Sequence, residues 1–310
     1  MKYSVVFLLE ERRSTFPQFV EDTHRVFAEL GLPFEILVVD NGTQGYLREL
    51  LAAGRLELDN LKCFEFGAAT HQSTCLKGVL GEASGETVVV LGSYRQITDD
   101  GLRRLLREAD GSADIVIPWR RNRVDHRVGQ WRSRLFNGIV RTVLGTPLHD
   151  VSCTVRVLRR EVLERLDLYG GMYRFLPVVA ARQGYETLEV PCDHCYLEPE
   201  KAHLQGWGLA PSRLLDVLVL YFNTAFARKP LRFFGGAGMT FVAVGALVMV
   251  YFFAARLLGD QGIGNRPLLL VAVILQVFGV QLAGLGLLGE IVAFTQGRGK
   301  KEYAVAEVLE

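Results

Sequence analysis

Two stretches of this 310-residue chain, Phe233–Ala255 and Pro267–Gly289, run for 23 residues each without a formal charge. As helices rising about 1.5 Å per residue, each is long enough to cross a hydrocarbon core of roughly 30 Å. Helices in a soluble core rarely run so far without a charged face, so two spanning helices are favoured over two buried ones. The connector Arg256–Arg266 is short and would close them into a hairpin. Glycines in both stretches (Gly235, Gly236, Gly238 and Gly245; Gly279, Gly284, Gly286 and Gly289) would let the helices approach closely and also permit homo-oligomers.

The flanks predict orientation. Arg228, Lys229 and Arg232 precede the first stretch and Arg298, Lys300 and Lys301 follow the second, whereas the connector sets only Arg256 and Arg266 against Asp260. By the positive-inside rule both ends face the cytoplasm, giving a multi-pass protein of the inner (cytoplasmic) membrane with both termini cytosolic. The opening MKYSVVFLLEERR meets charges too early for a signal peptide. Five cysteines, an odd number without framework spacing, suit a reducing compartment. Ahead of the first stretch, the apolar-rich segment Arg213–Phe226 ends in Arg228 and Lys229, as expected of a helix lying in the membrane interface against lipid headgroups.

Composition matters mainly through its distribution. The 49% hydrophobic content excludes disorder, and 35 Lys+Arg against 34 Asp+Glu argue against nucleic acid as a partner. Between Trp119 and Arg141, however, seven arginines (Arg120, Arg121, Arg123, Arg127, Arg132, Arg134, Arg141) face one acid, Asp125. Such a cluster fits a phosphorylated substrate or lipid headgroups, against the alternative of a solvated helix face.

Apolar, β-rich runs at Ser4–Leu9, Phe34–Val39, Leu61–Phe64, Thr87–Leu91, Asp114–Ile117 and Thr187–Val190 alternate with helix-like segments. This predicts an α/β fold with a mostly parallel sheet, whose ligands bind at the carboxyl ends of the strands. After the second run comes Asp40-Asn41-Gly42-Thr43, readable as a contact for a base or ribose or as a plain Asx turn. After the fourth comes Gly92-Ser93-Tyr94-Arg95-Gln96, with Asp99 and Asp100 opening the next helix. Cys192-Asp193-His194-Cys195, with His203 beyond, lacks the second pair that a structural zinc site needs and predicts reduced, partly buried thiols.

The turn Val38–Thr43, the stretch Ser133–Asn137, the segments Asp150–Arg156 and Met172–Pro177, and two C-terminal spans, in that order, resemble family 2 glycosyltransferases acting on polyprenyl phosphates. These are the dolichyl-phosphate mannosyltransferase and undecaprenyl-phosphate glycosyltransferase type, and the resemblance covers almost the whole chain. It implies a cytosolic GT-A domain over 1–208, an amphipathic juxtamembrane helix over 209–232, transmembrane helices over 233–258 and 267–294, and a tail over 295–310. It further implies hexosyl transfer from a nucleotide sugar to a polyprenyl phosphate, with membrane lipids as surroundings.

Residue by residue, the resemblance puts Asp40 in a turn that contacts the nucleotide, with Asn41 replacing a second acid. Arg120 falls where the family places an arginine after its fifth strand and Ser133 where it places a serine near the acceptor phosphate, and both are expected to bind that phosphate. Gly129 stands where a further arginine is expected, leaving Arg127 or Arg132 to substitute. Asp150 and Arg156 lie in an Asp-x-x-Cys-x-x-Arg-like segment, with Asp150 as the candidate catalytic residue and Arg156 as a further acceptor-side cation. Because a phosphate acceptor is already ionised, Asp150 is expected to orient rather than deprotonate.

The family's Asp-x-Asp-Leu-Gln motif holds Mg²⁺ or Mn²⁺, but here Gly92 and Tyr94 replace both carboxylates and Gln96 alone remains as a metal ligand. The loss should weaken metal binding by several kcal/mol. Leu8-Leu9-Glu10-Glu11 also departs from the family's Pro-x-Tyr-Asn-Glu, and Glu200-Lys201-Ala202-His203 stands near an expected Gly-x-Ser-Lys. Three outcomes follow: Arg95 neutralises the donor diphosphate without metal, Asp99 or Asp100 supplies a displaced ligand, or the chain is a degenerate lipid-phosphate-binding or regulatory partner. The retained acceptor-side arginines and both spans favour a working transferase.

Overall fold

The computed structural model describes residues 2–121, 127–166, 170–195, 230–258 and 267–297. Two compact units hold them, one within residues 2–195 and one within 230–297. The expected segment Glu200–His203, most of the juxtamembrane helix, the hairpin connector from 259 to 266 and the tail from 298 onward lie outside the described residues.

The first unit alternates strands and helices: β1 (Tyr3–Leu9), α1 (Phe16–Glu29), β2 (Phe34–Asp40), α2 (Tyr46–Ala52), β3 (Leu61–Glu65), α3 (Gln72–Leu80), β4 (Thr87–Leu91), α4 (Asp99–Ala109), β5 (Ile115–Arg121), α5 (Arg127–Leu144), β6 (Arg156–Arg159) and α6 (Arg160–Arg165). A 3₁₀ turn (Gly170–Phe175), α7 (Leu176–Arg182) and β7 (Thr187–Asp193) complete it. Every residue of β1 and β2 is buried, the signature of strands covered on both faces. The apolar positions expected at helical spacing bring Phe16 and Phe19 of α1 edge-to-face onto Phe7 of β1, at 5.8 and 5.3 Å between centroids.

The sheet order is β3-β2-β1-β4-β6-β5-β7, with β6 antiparallel to β4 and β5 and the other pairs parallel. The chain winds outward from β1 to β3 and then returns to β4 on the other side of β1. The order therefore reverses between β1 and β4, which opens a ligand crevice at their carboxyl ends. The sequence pattern does not predict β6: it is four residues long, and arginines occupy both ends. It pairs with β5 only at Ile115 and Val116, so the rest of β5 runs on beyond β6, paired with β7 as far as Arg121. That extension carries Arg120 to the ligand edge.

At the opposite edge the sheet is pinned by a buried carboxylate. Glu35 Oε1 accepts from the Ser4 and Ser84 hydroxyls, both at 2.7 Å, and Oε2 accepts from Lys62 Nζ at 3.0 Å. Burial by itself would raise the Glu35 pKa, but the bonds from Ser84, Ser4 and Lys62 prevail and lower it from 4.5 to about 2. A carboxyl depressed in the folded state contributes stability above its unfolded pKa, and that contribution disappears as pH falls through the folded value. Glu35 should thus contribute about 3 kcal/mol above pH ~4.5, lost toward pH ~2. Chemical unfolding at stepped pH should show Glu35→Gln less stable at neutral pH and with a flatter acid limb. Parallel acid limbs in variant and parent would remove Glu35 from this role.

The second unit begins with one π-helical turn (Leu231–Gly235) leading into α8 (Gly236–Leu257), followed by α9 (Pro267–Gly297). Helical stretches Leu231–Leu257 and Pro267–Val292 are long and apolar enough to cross a membrane. Only 17% and 11% of their most apolar segments is buried, which separates them from the core helices of a soluble protein. The two pack backbone to backbone at glycines: a Cβ on Gly279 would lie 2.6 Å from the Gly238 carbonyl, and one on Gly245 would lie 2.7 Å from the Ala272 carbonyl. Glu290 Oε2 accepts from the Leu231 backbone N–H at 3.3 Å, occupying a donor that the helix start leaves open.

Candidate active site

The Asp40–Thr43 turn forms one wall of the crevice. Asp40 is buried, and its carboxylate accepts from the Thr43 backbone N–H at 2.8 Å and from the Thr43 hydroxyl at 2.6 Å. The carboxylate thus closes on the residue three positions ahead, and the same turn lines a hollow of about 340 Å³ with Gln44, Glu65, Phe66 and Ala69. Gly42 sits at φ +83°, and a Cβ there would lie 2.8 Å from Ala69 Cβ, so only glycine fits. Asn41 Oδ1 accepts from Thr70 N at 2.7 Å while its Nδ2 donates to Thr70 O at 2.8 Å. A carboxylate could not make the second bond, which accounts for the amide at this position. Arg12 braces the turn from outside by donating to the carbonyls of Thr43 and Gln44 at 3.1 and 2.9 Å.

Glu10, just beyond β1, is a member of this edge that sequence reasoning did not select. It accepts from Gln72 Nε2 at 2.7 Å and from Asn41 Nδ2 at 3.4 Å. Desolvation raises its pKa against the opposing effect of these bonds. Its backbone N–H donates to Ser93 Oγ at 2.8 Å, and that hydroxyl in turn donates to Leu8 O at 3.2 Å. Its signals in the sequence are its position immediately after an apolar strand and its place in Leu8-Leu9-Glu10-Glu11, where the family has Pro-x-Tyr-Asn-Glu.

At the altered metal motif, a Cβ on Gly92 would lie 3.0 Å from Thr154 Oγ1. Tyr94 lies beneath the Arg13 guanidinium at 5.3 Å from its ring centroid, and burial raises its pKa. Gln96 is buried, and its Oε1 accepts from Cys153 Sγ at 3.1 Å and from Thr154 N at 3.0 Å. It serves as a strut between β4 and the turn before β6, with its carbonyl oxygen already committed. Arg95 is turned into the helical layer: it pairs with Asp22 at 2.6 Å and Asp99 at 2.9 Å and lies over Phe19. The donor-diphosphate role expected of Arg95 would require breaking both pairs. Asp100 pairs with Arg103 at 3.4 Å, so Asp99 and Asp100 begin α4 and are engaged there. Among the described residues, no group of three His, Cys, Asp or Glu side chains could hold a metal ion.

On the other side of the crevice, three of the expected residues, Arg120, Asp150 and Ser133, meet around Ser152, which the sequence does not single out. Arg120 Nε and a terminal nitrogen grip the two Asp150 oxygens at 2.6 and 3.0 Å, and the same nitrogen donates to Ser152 Oγ at 3.0 Å. Ser152 Oγ lies 2.8 Å from Asp150 Oδ1 and 3.4 Å from Ser133 Oγ. Glu189 of β7 sets the turn that carries Asp150, accepting from the backbone N–H groups of His149 and Asp150 at 2.9 and 2.8 Å. Arg127 and Arg132 lie on α5.

Arg156 is placed differently from the acceptor role expected of it. It is 1% exposed and donates to the carbonyls of Tyr173, Arg174 and Cys153 with its guanidinium 4.2 Å above the Tyr173 ring. Turned inward, it ties the Met172–Pro177 segment to the turn before β6 and is not presented to a ligand. Cys192 is buried against Gly101, and desolvation raises its pKa to about 12, consistent with a reduced packing thiol. Its companion His203 lies outside the described residues.

Residues 11–167, half of the chain, match the family described as Glycosyl transferase family 2. The chain is 28% identical over 310 residues to an undecaprenyl-phosphate 4-deoxy-4-formamido-L-arabinose transferase of Pseudomonas aeruginosa, spanning 99% of this chain and 90% of that protein. It is 26% identical over 318 residues to the protein of that name from Serratia proteamaculans, spanning 99% and 94%. The fold is similar to that of glucosyl-3-phosphoglycerate synthase from Mycobacterium tuberculosis, solved with Mn²⁺, uridine diphosphate and phosphoglyceric acid. The TM-score is 0.54 at 16% identity, over 71% of this chain and 78% of that one.

Proposed function

The chain belongs to glycosyltransferase family 2, and on that premise we propose that it moves a sugar from a nucleotide-sugar donor to a polyprenyl phosphate at the cytoplasmic face of the inner membrane. The observation that carries this reading is the pairing of two features on one sheet edge. A hollow walled by Asp40 and Phe66 lies at the ends of β2 and β3, and the Arg120–Asp150–Ser152–Ser133 cluster lies beyond the reversal point. The named relatives support undecaprenyl phosphate as the acceptor.

In the reaction, an oxygen of the acceptor phosphate forms a bond to the anomeric carbon of the donor sugar. The bond from that carbon to the nucleoside diphosphate breaks, and its electron pair leaves with the diphosphate. Asp40 and Asn41 shape the donor wall. Arg120 and Ser133 are assigned to the acceptor phosphate, with Arg127 or Arg132 of α5 as the further cation. Asp150 has its oxygens engaged by Arg120 and Ser152, so it orients this group; the ionised acceptor needs no proton removed.

Purified protein in detergent, given undecaprenyl phosphate and a panel of labelled nucleotide sugars, should move label into the lipid phase. The two replaced carboxylates favour a second reading, a degenerate lipid-binding partner, which predicts membrane insertion with no label moved.

A further inference from the structure

The position where the family holds its divalent cation does not fit one in this chain. A side chain at Gly92 would crowd the Thr154 hydroxyl at 3.0 Å, and Ser93 Oγ is already bonded to Glu10 N and Leu8 O. Gln96 Oε1 is shared between Cys153 and Thr154. Tyr94 shares a hydrogen bond with Gln96, and one acid, Glu11, and two arginines act on it. The Arg13 guanidinium lies over its ring, and Arg120 acts electrostatically on its hydroxyl from the acceptor side. Arg174 acts in the same way on neighbouring Glu10. Those arginines offer a diphosphate a direct cationic partner.

Arg13 is well situated for that task. Its backbone carbonyl accepts from Tyr46 OH at 2.6 Å, which ties it to the helix that follows the Asp40–Thr43 turn. Its side chain is 16% exposed and reaches Glu11, itself 46% exposed, at 2.8 Å. Its Cζ lies 5.3 Å from the Tyr94 ring centroid, within cation–π range, and a guanidinium fork matches two phosphate oxygens.

We infer that this chain binds the nucleoside diphosphate of its donor without a divalent metal, with Arg13, seated on Tyr94, taking the place of the cation. The inference rests on the transferase reading. Its test is calorimetric titration of the full chain in detergent with uridine diphosphate, in EDTA and again in excess Mn²⁺, for the parent protein, Arg13→Ala and Arg13→Lys.

The expected result is an affinity that agrees within about twofold between the two conditions and falls at least about tenfold in Arg13→Ala. Arg13→Lys, which keeps the charge but not the fork, should fall between them, and thermal unfolding should match the parent. Binding at least about tenfold tighter in Mn²⁺, or parent-like affinity in both variants, would overturn the inference while leaving the transferase reading intact. Absence of binding by the parent protein to uridine, guanosine, cytidine and adenosine diphosphates in both conditions would instead overturn the donor site itself.

Discussion

Arg120→Leu should lower the stability of the full chain by about 3–5 kcal/mol, the usual cost of leaving one charge of a buried ion pair without its partner. The side chains of Arg120 and Asp150 are 7% and 4% exposed, so water cannot replace the lost contact. The bidentate grip disappears together with the Arg120 bond to Ser152, while the turn carrying Asp150 keeps its anchors to Glu189 and to the Ser152 hydroxyl. Urea unfolding in detergent, followed by circular dichroism, measures the loss. Arg120→Leu/Asp150→Leu should recover most of it, because no buried charge is then left uncompensated. Acceptor binding should remain lost in the double variant, since that role depends on the charge and not on the packing. A double variant no more stable than Arg120→Leu alone would mean that the pair is not the structural unit described. Equal loss of donor and acceptor affinity in Arg120→Leu would remove it from the acceptor side.

Gly42→Val should weaken nucleotide binding sharply with little effect on the fold. The new Cβ would fall 2.8 Å from both Ala69 Cβ and Ala69 N, so the chain lining the hollow must move. A displacement of about 1 Å in a binding wall commonly costs about a hundredfold, and that is the expected fall in affinity for uridine diphosphate. The left-handed backbone at φ +83° adds only about 1–2 kcal/mol of strain, at the rim of the sheet and away from the core. Calorimetry reports the binding, and thermal unfolding separates it from misfolding. Unchanged affinity in a folded variant would place the nucleotide elsewhere.

Much of the fold was legible in the sequence because its signals are local. The six apolar runs locate six strands, the helical spacing from Phe16 onward locates α1, and two charge-free stretches locate α8 and α9. β6 was not legible because Arg156–Arg159 earns its pairing from Thr87–Val90 on β4 and Ile115–Val116 on β5, partners that no local pattern records. The same reason explains the unequal fate of the arginines. Arg120 sits on a strand extension whose register with β7 aims it at Asp150, 30 residues away. Arg95 was singled out by its neighbourhood in the motif, yet its charge is taken by Asp22, 73 residues distant. Arg156 was chosen by motif spacing, but a long side chain from a buried strand turns inward to carbonyls of the Tyr173 region. Asn41 shows the reverse: the departure from an acid looked like a loss until Thr70 supplied both of its partners.

The central claim is that the sugar passes to the lipid's own phosphate and the donor's phosphates stay with the nucleotide. Mass spectrometry of undecaprenyl phosphate recovered from vesicles containing the protein and a panel of nucleotide sugars tests this directly. The predicted product is the lipid monophosphate carrying one sugar residue, with free nucleoside diphosphate released. A lipid diphosphate bearing the sugar, or unaltered lipid across the whole panel with folded protein in both Mn²⁺ and EDTA, would contradict the account.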